Sequence, residues 1–106
     1  MSDASSGGKT WTIPDGVYTA LVTPFRDGEV DMDAFRALID RQAKAGIDGI
    51  VPVGTTGESP TLTHEEKLNL FRTVKKTVGD RVSVIAGTGF NNTRDSVTMT
   101  KMMNHV

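Results

Sequence analysis

Three short apolar runs, each followed by a helical pattern, constrain the fold of this chain more than any other feature. The runs cover residues 17–22, 49–53 and 82–86, so one strand-and-helix unit recurs about every 30 residues. Strands that are apolar on both sides are typical of a parallel sheet covered by helices. The repeat therefore predicts an α/β fold, either a doubly wound sheet or a (β/α)8 barrel.

Capping residues and apolar faces predict one helix after each run. Asp31 is the expected N-cap of the first helix, Thr63 forms a capping box with Glu66 at the start of the second, and the third begins at Asn92 or Thr93. Residues 26–29 predict a turn before the first helix. The apolar faces comprise Phe35, Leu38 and Ile39; Leu68, Phe71, Val74 and Val78; and Met99, Met102, Met103 and Val106.

The length of the chain limits how much of either architecture it can form. A (β/α)8 barrel needs about 250 residues, and this chain has 106. We therefore expect residues 15–106 to form the first three βα units of a larger fold, incomplete in this chain. Residues 1–14 are rich in Ser, Gly and Thr and predict a disordered leader.

Charge and composition argue against several classes of function. The 12 Lys and Arg residues are balanced by 13 Asp and Glu residues, which disfavours a nucleic-acid-binding surface. No apolar run approaches the roughly 20 residues of a membrane span. The chain has no cysteine, which excludes a thiolate metal site within it and fits a cytoplasmic location.

Ligands of both architectures bind in the loops after the strands, here residues 23–25, 54–59 and 87–92. The last two are rich in Gly, Thr and Asn, whose hydroxyl and backbone N–H groups could hold a carboxylate. A tight turn with Thr and Ser as capping residues is the alternative. Neither loop completes a nucleotide-binding motif. His64 and His105 lack a partner at metal-ligand spacing and are expected on the surface, so no metal site is predicted.

Three segments in this order, GVYTALVTPF, AGIDGIVPVGTTGESPTLTHEEK and RVSVIAGTGFNNT, closely resemble the amino-terminal third of the dihydrodipicolinate synthase family. That family belongs to the pyruvate-dependent class I aldolases. The resemblance implies a (β/α)8 barrel that condenses pyruvate with aspartate semialdehyde in lysine and diaminopimelate biosynthesis. It also implies a Schiff-base lysine, no metal or organic cofactor, a cytoplasmic homotetramer or homodimer, and no nucleic-acid or membrane partner.

The resemblance also assigns roles to individual residues. Thr55 corresponds to a threonine that links two tyrosines in a proton relay, and Thr56 to a donor that holds the pyruvate carboxylate. In family members that lysine inhibits, the allosteric site aligns with Ser59, His64, Asn91 and Asp95 of this chain. Lys67 replaces a histidine of that site with a positive charge, which is expected to repel the ammonium group of lysine.

The Schiff-base lysine and both relay tyrosines of the family lie on later strands. The lysines of residues 15–106 are expected on solvated helix positions, so this chain alone is expected to be inactive. Two alternatives remain open from the sequence. The chain could be part of another pyruvate aldolase, similar to N-acetylneuraminate lyase or a sugar-acid aldolase. It could also be a non-catalytic half-barrel that self-associates through unpaired strands.

Overall fold

A three-stranded parallel sheet lies at the centre of the computed structural model, which describes residues 12–106. Its strands are β1 (Tyr18–Ala20), β4 (Gly49–Val51) and β5 (Ser83–Val84), in the order β1-β4-β5. Tyr18 pairs with Gly49, and Gly49 pairs with Ser83. The predicted parallel α/β arrangement is therefore confirmed for these three units.

The strands are shorter than the apolar runs that predicted them, although the ladder continues beyond their ends. The N–H group of Leu21 donates to the Val51 carbonyl at 3.1 Å, and that of Gly87 donates to the Pro52 carbonyl at 3.0 Å. The central strand ends because Val53 leaves the extended region, with φ at 60°. Beyond Val53, the segments that follow β1 and β5 no longer have the central strand β4 between them as a hydrogen-bonding partner.

A β-hairpin occupies the segment for which the sequence predicted only a turn. Strand β2 (Phe25–Arg26) pairs antiparallel with β3 (Glu29–Val30). Asp27 and Gly28 connect them with φ angles of 52° and 82°, and two positive φ angles are typical of a tight hairpin turn. The prediction was wrong for Phe25, which lies in a strand rather than in a βα loop, because two-residue strands leave no alternating pattern.

The three helices begin at the predicted caps. Asp31 Oδ1 accepts from the Ala34 N–H group at the start of α1 (Met32–Lys44). Thr63 forms the predicted capping box at the start of α2 (His64–Val78). Asn92 Oδ1 accepts from the Asp95 N–H group at the start of α3 (Thr93–Met103).

The core lies between the helices and one face of the sheet. It confirms the predicted apolar faces and adds strand and loop residues such as Leu21, Ile50 and Val53. Two apolar side chains that alternate with the core-facing positions remain exposed at the opposite face: Val22 at 53% and Ile85 at 40%. An open inner face of this kind is what three units of a closed barrel leave uncovered.

The predicted leader falls largely outside the described residues, which begin at Thr12. Residues 12–14 belong to no helix or strand. Tyr18 lies at the amino end of the sheet, where its hydroxyl group donates to the Pro14 carbonyl at 2.8 Å. Between residues 12 and 106, no helix combines the length and the apolar character needed to cross a membrane.

Candidate functional site

The loop after β4 begins with a strained residue. Val53 has a φ of 60° and only 2% of its surface is exposed. A β-branched side chain rarely adopts this left-handed conformation, and such strain costs about 1–3 kcal/mol. Strain of this size persists only where neighbouring contacts hold the backbone, and here it turns the chain sharply away from the sheet into residues 54–58.

Two contacts hold this loop against the end of β1. The buried hydroxyl group of Thr23 donates to the Gly57 carbonyl at 2.7 Å. A Cβ atom at Gly57 would lie 3.1 Å from both the Leu21 carbonyl oxygen and Thr23 Oγ1. The loop therefore packs backbone against backbone at this point, which glycine permits.

Thr55 and Thr56 lie at the exposed tip of the loop. The carbonyl of Gly54 accepts from the N–H groups of Gly57 and Ser59, and that of Thr55 accepts from Glu58. Within residues 12–106, no protein acceptor pairs with the N–H or hydroxyl groups of Thr55 and Thr56. The tip thus presents free donors while the carbonyl groups of Gly54 and Thr55 are occupied, which suits an anion such as a carboxylate.

The loop after β5 packs beside the first loop. A Cβ atom at Gly87 would collide with the Val53 carbonyl, so Gly87 allows the two loops to touch. The N–H group of Phe90 donates to Ser96 Oγ at 2.8 Å, and the Thr100 hydroxyl group contacts that of Thr88 at 2.9 Å. Helix α3 therefore fixes the position of Phe90.

Between the two loops lies a cavity of about 480 Å³. Both loops contribute polar and apolar groups to its walls. The lining residues that matter below are Thr55, Ser59, Lys67, Phe90, Asn91 and Asn92. We call this space the loop cavity.

Lys67 of α2 is buried beneath the second loop, with 1% of its surface exposed. Its Nζ atom lies 3.6 Å from the centroid of the Phe90 ring, close enough for a cation–π contact. Burial lowers the pKa of the Lys67 ammonium group below its ordinary value of 10.5, and the carboxylate of Asp95 partly offsets this effect. The expectation that every lysine here is solvated is therefore wrong for Lys67.

The physical reason lies in the position of Lys67 on its helix. It precedes Phe71 by four residues and Val74 by seven, so it continues the buried apolar face of α2. The aliphatic stem of a lysine tolerates such a position. This spacing was the sequence signal that could have identified the burial.

The four residues aligned with a lysine site surround the same region. Ser59 and Asn91 line the loop cavity. The ring of His64, exposed as predicted, meets the Phe90 ring edge-on at 5.3 Å between centroids. Asp95 is bonded to Asn92 at 2.8 Å and acts on Lys67 through its charge. The structure thus brings all four near Lys67, whereas Thr56 lies at the loop tip, outside the cavity lining.

Across the described residues, no group of three His, Asp or Glu side chains is arranged to hold a metal ion.

A family model described as the dihydrodipicolinate synthetase family matches residues 13–106. The chain belongs to this family. It is 55% identical over 87 residues to the 4-hydroxy-tetrahydrodipicolinate synthase of Maridesulfovibrio salexigens, covering 82% of this chain and 30% of that protein. The resemblance stated from the sequence is thus confirmed, and the chain spans less than a third of the length of such relatives.

Solved structures of dihydrodipicolinate synthases share the fold. The enzyme of Cyanidioschyzon merolae, crystallised with lysine bound, has a TM-score of 0.80 at 44% identity, over 85% of this chain and 31% of that one. The chloride-inhibited enzyme of Acinetobacter baumannii, in complex with pyruvate, has a TM-score of 0.81 at 37% identity, over the same shares of 85% and 31%. These matches identify residues 12–106 as three βα units of a (β/α)8 barrel.

Proposed function

We propose that the protein carrying this chain condenses pyruvate with aspartate semialdehyde, as a 4-hydroxy-tetrahydrodipicolinate synthase. The observation that carries the proposal is the tip of the loop after β4. There Thr55 and Thr56 present hydroxyl and N–H donors without protein acceptors in residues 12–106. The family membership and a relative complexed with pyruvate support the same reading.

In this proposal, Thr56 and the adjacent backbone N–H groups hold the pyruvate carboxylate. Thr55 passes a proton between tyrosines of the complete barrel. Tyr18 does not take part, because it lies at the amino end of β1 and bonds to Pro14. The lysine that forms the imine with pyruvate comes from outside residues 12–106, as do the groups that bind the aldehyde.

The test uses three valine variants of the enzyme at its full natural length. Thr56→Val removes one donor to a charged group, worth about 1.5–3 kcal/mol, so the KM for pyruvate rises by roughly tenfold or more. Thr55→Val removes the proton-transfer hydroxyl group and lowers kcat by about 10²–10⁴-fold. Thr61→Val is the matched control, since its exposed hydroxyl group bonds only to the Glu58 carbonyl in the same loop region.

Steady-state kinetics with both substrates separates the two roles. A pyruvate KM that is equal in Thr56→Val and Thr61→Val would refute the carboxylate assignment. Full kcat in Thr55→Val would refute the relay. Turnover with sugar aldehydes in place of aspartate semialdehyde would identify the enzyme as another pyruvate aldolase of the superfamily.

A further inference from the structure

Two residues of the loop after β4 share a backbone conformation that side chains rarely adopt. Val53 precedes the loop tip with a φ of 60°, and Glu58 follows it with φ and ψ angles of 59° and 40°. Among the other non-glycine residues that the structure describes, only Asp27 has a positive φ, and it lies in the hairpin turn, where such an angle is ordinary. The costly conformations are therefore concentrated at the two ends of the tip that carries Thr55 and Thr56.

Glu58 joins two hydrogen-bonded turns. Its N–H group donates to the Thr55 carbonyl at 3.0 Å, which closes a turn with Thr56 and Gly57 at its centre. Its carbonyl accepts from the Thr61 N–H group at 2.8 Å, within the short helical turn that follows. The left-handed angles of Glu58 set the direction in which the first turn leaves the second. They therefore also set the direction in which the donors of Thr56 point.

The side chain of Glu58 does not explain this conformation. It is exposed, and within residues 12–106 it forms no hydrogen bond or ion pair. Glycine adopts positive φ angles without the steric cost that a Cβ atom brings, so glycine would be the more stable choice here. What a Cβ atom adds is restriction, because it confines left-handed backbone to φ of about 50–70° and ψ of about 30–60°. The angles of Glu58 lie within that narrow region.

We propose that Glu58 is a positioning residue, whose Cβ atom restricts the backbone so that the donors of Thr56 are held ready for the pyruvate carboxylate. The inference rests on the proposed function for the identity of the ligand, and it assigns no contact with pyruvate to the Glu58 carboxylate. Some stability is given up for order at the tip. A loop that is already held in its binding conformation loses less entropy when the ligand binds.

Replacing Glu58 with glycine is expected to change stability and binding in opposite directions. Relief of the left-handed strain raises the thermal midpoint, whereas the wider range of backbone angles loosens the tip. The loosened tip weakens pyruvate binding about two- to fivefold, which is the effect that the extra chain entropy of one glycine has on an equilibrium constant. A residue that served only the fold would lower stability and binding together.

The test compares Glu58→Gly with Glu58→Ala in the enzyme at its full natural length, because these two variants differ only by the Cβ atom. We expect the glycine variant to melt about 1–4 °C above the alanine variant. Its KM for pyruvate is expected to be about two- to fivefold higher at nearly unchanged kcat, and the amides of residues 54–58 to exchange faster. Glu58→Ala retains the restriction and is expected to restore the wild-type KM.

Asp27→Gly and Asp27→Ala form the matched control pair. Asp27 is exposed and has a φ of 52°, but it lies in the hairpin outside this loop. We therefore expect the glycine variant of this pair also to melt above the alanine variant, with no difference between the two in the KM for pyruvate.

Each measurement can overturn the proposal. Equal KM values for pyruvate in Glu58→Gly and Glu58→Ala would do so: at the wild-type value the restriction has no effect on binding, and above it the carboxylate is responsible. A lower thermal midpoint in Glu58→Gly than in Glu58→Ala would show that the conformation is not strained.

Amide exchange separates this inference from the proposed function. If the full-length wild type does not turn over pyruvate, the proposed function fails, but exchange at residues 54–58 can still be measured in the free protein. Faster exchange in Glu58→Gly than in Glu58→Ala would then support positioning of the tip by Glu58, and equal exchange would refute it.

Discussion

The hydrogen bond from Thr23 to Gly57 offers a direct test of how the candidate site is held. Thr23→Val keeps the shape of the side chain and replaces the hydroxyl group with a methyl group. The bond measures 2.7 Å, Thr23 is 4% exposed, and no other donor reaches the Gly57 carbonyl within residues 12–106. The substitution therefore leaves a buried carbonyl unpaired.

The expected cost follows from that environment. An unpaired buried acceptor costs about 1–3 kcal/mol. We expect the free energy of unfolding to fall by this amount, and the loop amides of Gly57 and Ser59 to exchange with solvent about 5–150 times faster. If the proposed function is correct, the KM for pyruvate also rises, because Thr55 and Thr56 lie on the loop that loosens.

Thr61→Val is the control for this prediction. Its hydroxyl group bonds to the Glu58 carbonyl at 2.8 Å, a bond of nearly the same length but exposed, so water can take its place. We expect a change of within about 0.5 kcal/mol. Urea denaturation and hydrogen exchange measured by mass spectrometry check both variants. Equal losses in the two proteins would refute the argument that burial of the Gly57 carbonyl holds the loop.

Three other substitutions test the second loop and its buried lysine. Burial lowers the pKa of Lys67, so the unfolded chain binds more protons than the folded one up to about pH 10.5. We therefore expect the free energy of unfolding of the wild type, relative to that of Lys67→Met, to rise as the pH increases toward that value. If urea denaturation gave the same difference between the two proteins at every pH, this prediction would be contradicted. Gly87→Ala sets a methyl group against the Val53 carbonyl and costs about 1–3 kcal/mol, whereas Gly89→Ala, with open space around it, leaves the thermal midpoint unchanged. Ser96→Ala removes the acceptor of the Phe90 N–H group and accelerates its hydrogen exchange, and Thr98→Ala, which loses only an exposed bond to Arg94, does not.

Local signals explain why the helices and their order could be predicted from the sequence. The caps at Asp31, Thr63 and Asn92 each act on the residue three positions further on, so the pattern that reveals them is short. The strands repeat as apolar runs, but their ends depend on pairing with distant strands. The hairpin at residues 25–30 escaped prediction because its pairing rests on only four strand residues.

In the candidate site, too, some features could be predicted from the sequence and others could not. Thr55 and Thr56 could be identified because glycine and threonine concentrate in one loop after a strand. The contacts that hold the loop could not, since Thr23 and Gly57 are separated by 34 residues. The left-handed conformation of Val53 has no sequence signal either, because valine is among the residues least expected there.

Lys67 shows how residue type and position can give opposite predictions. By type, a lysine on a helix is expected in solvent. By position, it lies on the buried face that continues through Phe71, Val74 and Val78. The structure reconciles the two because the aliphatic stem is buried, while the amine lies against Phe90 beside the loop cavity. An apolar residue at position 67 would bury the same face at lower cost, so burial alone does not account for a charge here.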